Sequence, residues 1–350
     1  MERVRLGVVG CGVMGARHLE AALESPVMEP YALAERFEDR RAAAAEEYGV
    51  RKAYESGAEL IEDCDVDAVV LAMPTCERDE LAVQALQAGK HLLVEKPVAM
   101  NAAAVERMIA ARGDRVAACC SCRFHFTRSA RAAAELIGDG VLGRLRVIYC
   151  RAHGGVGPAR GKMPPAWRLM KALNGGGILV NWGCYDLDYL LGLTGWQLRP
   201  RTVLARTWTV PPRVASRLPD GSDAETHFTA LIACDGGTVI SFERGEYMPA
   251  HTQNAWQIVG DHGALNLVMT PMENKQIVHD ELTADGLASH VIWQGTEGWD
   301  DNRGCAVKDF AEAIVEGREP RTTLEKAFVI QRISDAVYES AETGKAVELD

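Results

Sequence analysis

Three glycines, Gly10, Gly12 and Gly15, stand in the order GxGxxG, directly after the apolar run 4–9 and before a helically periodic stretch, 13–23. A turn of this kind suits a pyrophosphate. The first glycine permits the tight turn, the second lets the backbone approach the phosphates, and the third lets the helix pack close to its strand. The free N–H groups of the helix start, around Val13 and Met14, and the helix dipole favour an anion there. Glu35 lies 20 residues beyond Gly15, at the end of a second strand-like run, where an acid accepts hydrogen bonds from the adenosine ribose. A carboxylate repels a 2′-phosphate, which favours NAD. The neighbouring Arg36 offers that phosphate a guanidinium, so NADP remains open. Farther on, Lys96 follows the apolar run 91–94 and precedes Pro97. An ammonium at the C-terminal end of a parallel strand lies on the edge where open α/β sheets bind ligands, and it can stabilise negative charge growing on a substrate oxygen.

These residues need a frame, and the first third of the chain supplies one by alternating strand and helix. Strand-like runs at 4–9, 31–34, 67–73, 91–94 and 116–122 are separated by helical stretches at 13–23, 40–48 and 77–88 and by a helix that Asn101 caps. The run 67–73 is nearly all apolar, as in a parallel strand buried on both faces. Gly89 suits a helix C-cap. The expectation is a Rossmann doubly wound parallel sheet over residues 1–123.

The pattern changes over 124–350. A helix at 128–137 leads to a strand at 145–151, an irregular stretch at 153–174 and a helix at 177–193. Strands then follow one another at 202–208, 224–233, 238–244, 255–259 and 264–268, with Asp235-Gly236-Gly237 as a hairpin signal. Helices at 305–315 and 324–343 end the chain. The whole is an α/β protein whose second domain is α+β, with a large, mostly antiparallel open sheet.

The segment Ala88-Gly89-Lys90-His91-Leu92-Leu93-Val94-Glu95-Lys96-Pro97 resembles the Gfo/Idh/MocA oxidoreductases, the family of glucose-fructose oxidoreductase and inositol dehydrogenase. So do Ala16-Arg17-His18 after the glycine turn, Gly175-Gly176-Gly177 with the helix behind it, and the tail 340–347. The resemblance implies a catalytic lysine at Lys96, cofactor contacts from Glu95 and from the Pro74-Thr75 loop, and a dimer or tetramer built on the open sheet. It also implies a second catalytic segment after the triple glycine, and there this chain departs from the family. Asn181 stands where an Asp is usual, and Tyr185 where a His is usual. The two are one helical turn apart, so they share a face. Glucose-fructose oxidoreductase and dihydrodiol dehydrogenase carry Tyr at that point.

Oxidising a carbinol requires a group that takes the hydroxyl proton. A phenol alone is a poor base at neutral pH, with an ordinary pKa of about 10, and a nearby ammonium stabilises its anion. The expected pair is therefore Lys96 and Tyr185. Asp186 or Asp188 is the alternative, Asp188 matching a family carboxylate that contacts substrate hydroxyls. Asn181 can orient a substrate but cannot act as a base. Further substrate-binding candidates are Arg123, His153 and the pair Trp167-Arg168, with Arg160 and Lys162 in the same long loop. Arg78 replaces a His usual in the family.

The net charge of −11 excludes attraction to a nucleic-acid backbone or to anionic lipid. No run approaches a membrane span, and the first residues lack a signal-peptide core, so a cytoplasmic location is the default expectation. Ten cysteines then read as free thiols. Cys119, Cys120 and Cys122 sit in a strand-like run with no second ligand pair, and His125 and His227 are isolated along the chain, so no metal is expected. The function expected is hydride transfer between NAD(P) and a ring hydroxyl or ketone of a sugar, cyclitol or glycoside. Two other functions fit the sequence: a glycoside-cleaving enzyme that recycles its cofactor, and a non-catalytic dinucleotide sensor.

Overall fold

The computed structural model describes residues 3–157 and 163–349 and divides into two compact units. Arg160 and Lys162 lie outside the described residues. The first unit comprises residues 1–123 and 302–331, and the second residues 124–301 and 332–350.

In the first unit the chain runs β1 (Val4–Val9), α1 (Val13–Leu23), β2 (Met28–Ala34), α2 (Glu38–Tyr48), β3 (Lys52–Tyr54), α3 (Gly57–Glu62), β4 (Ala68–Leu71), α4 (Asp79–Gln87), β5 (His91–Val94), α5 (Ala102–Ala111) and β6 (Ala117–Cys119). The six strands are all parallel in the order β3-β2-β1-β4-β5-β6, the doubly wound arrangement that the alternating pattern predicts. The strand order reverses between β1 and β4, and that crevice is where such sheets take ligands. Val69, Leu71, Leu92 and Val94 face one apolar layer, and Leu6, Val8, Val70 and Leu93 face the other. Alternate side chains therefore enter different cores, which explains the unbroken apolar runs.

Several boundaries differ from the sequence reading. β2 begins at Met28, three residues before the predicted start, and takes Pro30 into the strand where its register against β1 shifts between Leu6 and Gly7. A register shift accommodates a residue that lacks a ladder donor. β3 and α3 are too short to carry a period and were not expected. The strand predicted over 116–122 stops at Cys119 and gives way to a 3-10 turn, Cys120–Phe126.

The second unit holds α6 (Arg128–Gly138), β7 (Leu145–Gly155), α7 (Lys171–Asn174), α8 (Cys184–Leu193), β8 (Pro200–Trp208), β9 (His227–Cys234), β10 (Val239–Met248), β11 (Gln253–Gly260), β12 (Gly263–Leu267), β13 (Lys275–Thr283) and β14 (Gly286–Gly295). Then α9 (Cys305–Glu316) lies in the first unit, α10 (Leu324–Thr343) passes from the first grouping into the second, and β15 (Val347–Glu348) belongs to the second. The nine strands order as β14-β13-β12-β11-β7-β10-β9-β8-β15. Among the described residues only β7 and β10 pair in parallel in this sheet, so it is mostly antiparallel as expected. Asp235, Gly236 and Gly237 turn β9 into β10, with both glycines at positive φ. The hairpin β13–β14 was not expected. Leu282, Leu287 and Val291 on it are exposed, so it lacks the buried alternation that marks a strand in sequence.

Candidate functional site

Gly10 has φ of +90°, a conformation open to glycine, and a Cβ there would meet the backbone of Ala72 and Met73 at 3.1 Å. The turn after β1 is thus folded against the turn after β4, where the strand order reverses. Gly15 has no room at all: its Cβ would lie 1.8 Å from the Gly10 carbonyl oxygen, which makes it the packing glycine. Gly12 is different. It begins α1, and nothing lies within 4 Å of where its Cβ would be. The first turn of α1 has neither a side-chain cap nor an acidic residue, and Val13 is exposed, with Met14 half-buried behind it. Uncapped amides facing open space fit an anionic ligand.

Glu35 stands directly after β2, buried against this turn. Its carboxylate accepts from the backbone N–H of Cys11 at 3.1 Å and from that of Phe37 at 3.1 Å. Burial and the charge of Glu35 together push the Cys11 thiol up to about 12, so it stays a neutral lining group. Arg36 is exposed, 3.5 Å from Glu77 and above the Phe37 ring. The carboxylate acceptor fits the hydroxyls of an adenosine ribose, with Arg36 at the rim. This geometry separates two glycine substitutions. Gly15→Ala should destabilise the fold through its backbone clash, whereas Gly12→Val should melt like the parent and lose NADH affinity by about tenfold or more. Fluorescence titration with NADH beside a thermal melt checks this, and unchanged binding by Gly12→Val would refute the assignment of the turn.

The loop after β5 carries Glu95, Lys96 and Pro97, with a cis bond between the last two. Glu95 is buried and receives a 2.9 Å contact from His18 Nε2 on α1 and a 3.1 Å hydrogen bond from the Lys96 backbone N–H. Burial alone would raise its pKa. The hydrogen bond and charge of His18, with the charges of Lys96 and Arg78, outweigh that and hold it at about 2. Glu95 is therefore an ionised anchor for the loop. Thr75 is fully buried and Pro74 half-buried in the turn after β4.

Sequence reasoning missed the weight of Arg78. It is 3% exposed, and its guanidinium donates to the carbonyls of Met73 at 2.7 Å, of Glu95 and of Pro97. One side chain thus ties the β4 loop to both residues flanking Lys96. Burial pushes this guanidinium down from its ordinary value, opposed by Glu95. The available signal was an arginine at a position where an apolar-faced helix begins, which by itself does not reveal a buried clamp. Arg123, after β6, donates to Asn302 at 2.9 Å within the same unit.

In the second unit, the triple glycine is a packing device. Cβ atoms on Gly176 and Gly177 would collide with the Tyr338 hydroxyl at 1.8 Å and the Glu225 carbonyl at 1.9 Å. The buried Glu225 carboxylate accepts from the N–H groups of Gly177 and Leu179 and from the Tyr338 hydroxyl, at 2.9–3.0 Å. It caps the helix start from a distant part of the chain. That helix opens as a π turn, Leu179–Gly183, before α8 continues. Turns of this kind are frequent at functional sites. Asn181 lies in the π turn and is half-buried; Tyr185 follows in α8 and is 6% exposed.

Tyr185 belongs to an aromatic cluster. Its ring lies 5.3 Å from Phe124 and 5.7 Å from Trp182, edge to face, and Trp299 lies 6.3 Å from both Phe124 and Trp182. Edge-to-face packing fixes the phenol's direction. The two nearby carboxylates are engaged by partners. Asp186 is fully buried, takes both Nε and Nη2 of Arg244, and accepts from Trp256 Nε1 at 2.9 Å. Asp188 is fully buried against His125 Nε2 at 2.7 Å. The sequence shows neither partner, because each lies some sixty residues away. Trp167 is exposed and Arg168 is bonded to Glu246 at 2.5 Å. His153 is buried with its Nε2 facing Glu243.

A model for an oxidoreductase family with an NAD-binding Rossmann fold matches residues 4–119, and a model for the GFO/IDH/MocA C-terminal domain matches residues 130–266. The myo-inositol 2-dehydrogenase of Thermotoga maritima is 31% identical over 352 residues, covering 99% of this chain and 99% of that protein. A D-xylose 1-dehydrogenase (NADP(+)) of Haloferax volcanii is 28% identical over 357 residues, covering 98% and 99%. The structure of a levoglucosan dehydrogenase in complex with NADH and L-sorbose superposes with a TM-score of 0.85 at 22% identity over the full length of both chains, which is a likeness of fold.

Proposed function

Because the chain belongs to the Gfo/Idh/MocA family of NAD-binding oxidoreductases, we propose that it transfers hydride between a nicotinamide dinucleotide and a ring carbon of a sugar, cyclitol or glycoside. The observation that carries this reading is the uncapped start of α1 with open space over Gly12 and the Glu35 carboxylate beside it. Gly12, Val13 and Met14 would hold the pyrophosphate through the backbone N–H groups of the helix start, with Gly10, whose own N–H is bonded to the Ala34 carbonyl, shaping the turn and Gly15 packing the helix against it. Glu35 takes the ribose hydroxyls, Pro74, Thr75 and Glu95 line the nicotinamide end, and NAD is the preferred form. Arg36 is already drawn to Glu77, which weakens its claim on a 2′-phosphate. When bound, the nicotinamide ring supplies the hydride acceptor or donor.

The protein's own groups handle the proton and the charge. Tyr185 takes the proton of the substrate hydroxyl, and the Lys96 ammonium stabilises negative charge on that oxygen and on the phenolate. Asn181 orients the substrate by hydrogen bonding. Asp186 and Asp188, held by Arg244 and His125, fix the helix that carries Tyr185. Trp182 and Trp299 offer flat apolar faces to the C–H face of a sugar ring. Arg123, Trp167 and Arg168 serve the outer parts of the substrate.

Tyr149, Leu231 and Leu204 lie in one cross-strand row with Ser241 and are 44%, 51% and 47% exposed. An apolar row of that kind supports self-association of the chain as a dimer or tetramer. Ten free cysteines suit a reducing cytoplasm.

The test is an absorbance screen for reduced nicotinamide, with NAD and NADP, against polyols, aldoses, inositols and glycosides. Turnover with at least one ring hydroxyl, faster with NAD, is expected. Tyr185→Phe should lower kcat by roughly 10²-fold with little change in dinucleotide binding. Release of an aglycone with no net reduced nicotinamide would replace the dehydrogenase reading by a cofactor-recycling cleavage. Dinucleotide binding without turnover of any substrate would favour a sensor.

A further inference from the structure

Isolated along the chain, His153 and His227 meet across three strands of the large sheet. In the ladder, Gly245 on β10 pairs with His153 on β7 at one side and with His227 on β9 at the other. Glu243 stands two residues earlier on β10 and so shares their face. Over Gly245 the Met248 side chain packs where a Cβ would lie, with Met248 Sδ 2.5 Å and His227 Cδ2 3.2 Å from that point, so the glycine admits Met248 beside the histidines. His153 Nε2 and His227 Nε2 each lie 3.0 Å from Glu243 Oε1. The three ligand atoms fall within 4.8 Å of one another.

We propose that His153, His227 and Glu243 form a binding site for a divalent transition-metal ion, zinc foremost. Two imidazoles and one carboxylate are the donor set of open zinc sites, which leave a further position for water. The spacing suits it. Bonds of about 2.0–2.1 Å in a tetrahedral shell set ligand atoms about 3.3 Å apart, so the observed 3.0 Å contacts need only spread slightly to admit an ion. A second observation points to a ligand. His153 is 4% exposed, yet its Nε2 has no hydrogen-bond partner, because the nearby Oε1 is out of line for one. A buried ring nitrogen without a partner is costly unless something fills the gap. The surroundings hold the ligands in place. His227 stacks on Trp208 with centroids 4.7 Å apart, and Arg151 lies 3.3 Å from Glu243 Oε2, leaving Oε1 to the histidines. The residues proposed for hydride transfer are not among these ligands, so the site can be tested without a substrate.

The test uses the full-length protein, stripped with a chelator, titrated with zinc chloride by calorimetry and with cobalt chloride by visible absorption. One ion per chain is expected, with the cobalt bands of a four- or five-coordinate site. His227→Ala and Glu243→Gln should each weaken binding by about tenfold or more, at unchanged circular dichroism. Cys64→Ser, which breaks the separate Asp63-Cys64-Asp65 group, should leave it intact. No uptake, or uptake that the His227 and Glu243 variants do not weaken, overturns the assignment. NADH affinity measured in parallel separates this result from the fate of the oxidoreductase reading.

Discussion

Lys96→Ala should lower kcat/KM by roughly 10²–10⁴-fold on whichever ring alcohol the enzyme turns over, with most of the loss in kcat. An ammonium that meets charge present only in the transition state contributes to kcat, whereas a group that merely holds the substrate contributes to KM. The loop around Lys96 is built to be rigid. Its own N–H is bonded to Glu95 Oε2, Glu95 is anchored by His18, and the carbonyls on both sides are held by Arg78. Removing the side chain therefore removes the ammonium without freeing the loop, and NADH affinity should stay within about threefold of the parent. Lys96→Arg should restore little, because a planar guanidinium cannot occupy the place of a compact ammonium. Steady-state kinetics beside fluorescence titration decide the matter. Turnover by Lys96→Ala at the parent rate would remove Lys96 from the chemistry.

Arg78→Met should cost about 3–5 kcal/mol of stability, measured by urea unfolding of parent and variant. The substitution keeps an apolar stem of similar length and deletes only the guanidinium. It leaves the carbonyls of Met73, Glu95 and Pro97 buried without that donor. It also strips a positive neighbour from Glu95, whose ionised state depends in part on that charge. Each unsatisfied buried acceptor costs about 1–3 kcal/mol, so the sum is large even after relaxation. Arg78→Lys should recover only a fraction, since one ammonium on a flexible stem cannot serve carbonyls on two loops. Should the folded fraction survive, kcat is expected to fall with it, because Lys96 sits between two of the released carbonyls. A loss below about 1 kcal/mol would show that water replaces the clamp.

Local features of the chain were more legible in the sequence than long-range ones. The glycine turn was readable because its three positions act locally: Gly10 for φ, Gly12 for an empty face, Gly15 for a packed one. The strand–helix alternation was readable for the same reason, since a parallel strand buried on both faces must be apolar throughout. The cap from Asn101 to Ala104 and the turn at Gly236 also needed only neighbouring residues. Elements failed where local signals were short or ambiguous. β3 and α3 have too few residues to show a period, and the β13–β14 hairpin exposes the apolar residues that usually betray a strand.

Amino-acid order alone determined the Rossmann half, the acid at Glu35, the lysine at Lys96 and the one-turn spacing of Asn181 and Tyr185. Tertiary structure alone decided which charged groups are spoken for. Asp186 is taken by Arg244 and Trp256, Asp188 by His125, the carbonyls beside Lys96 by Arg78, and His153 and His227 converge on Glu243. The reason is physical. Backbone form follows from near neighbours, but a buried polar side chain is satisfied by whatever the sheet register brings opposite it, and register is a property of strands far apart in the chain.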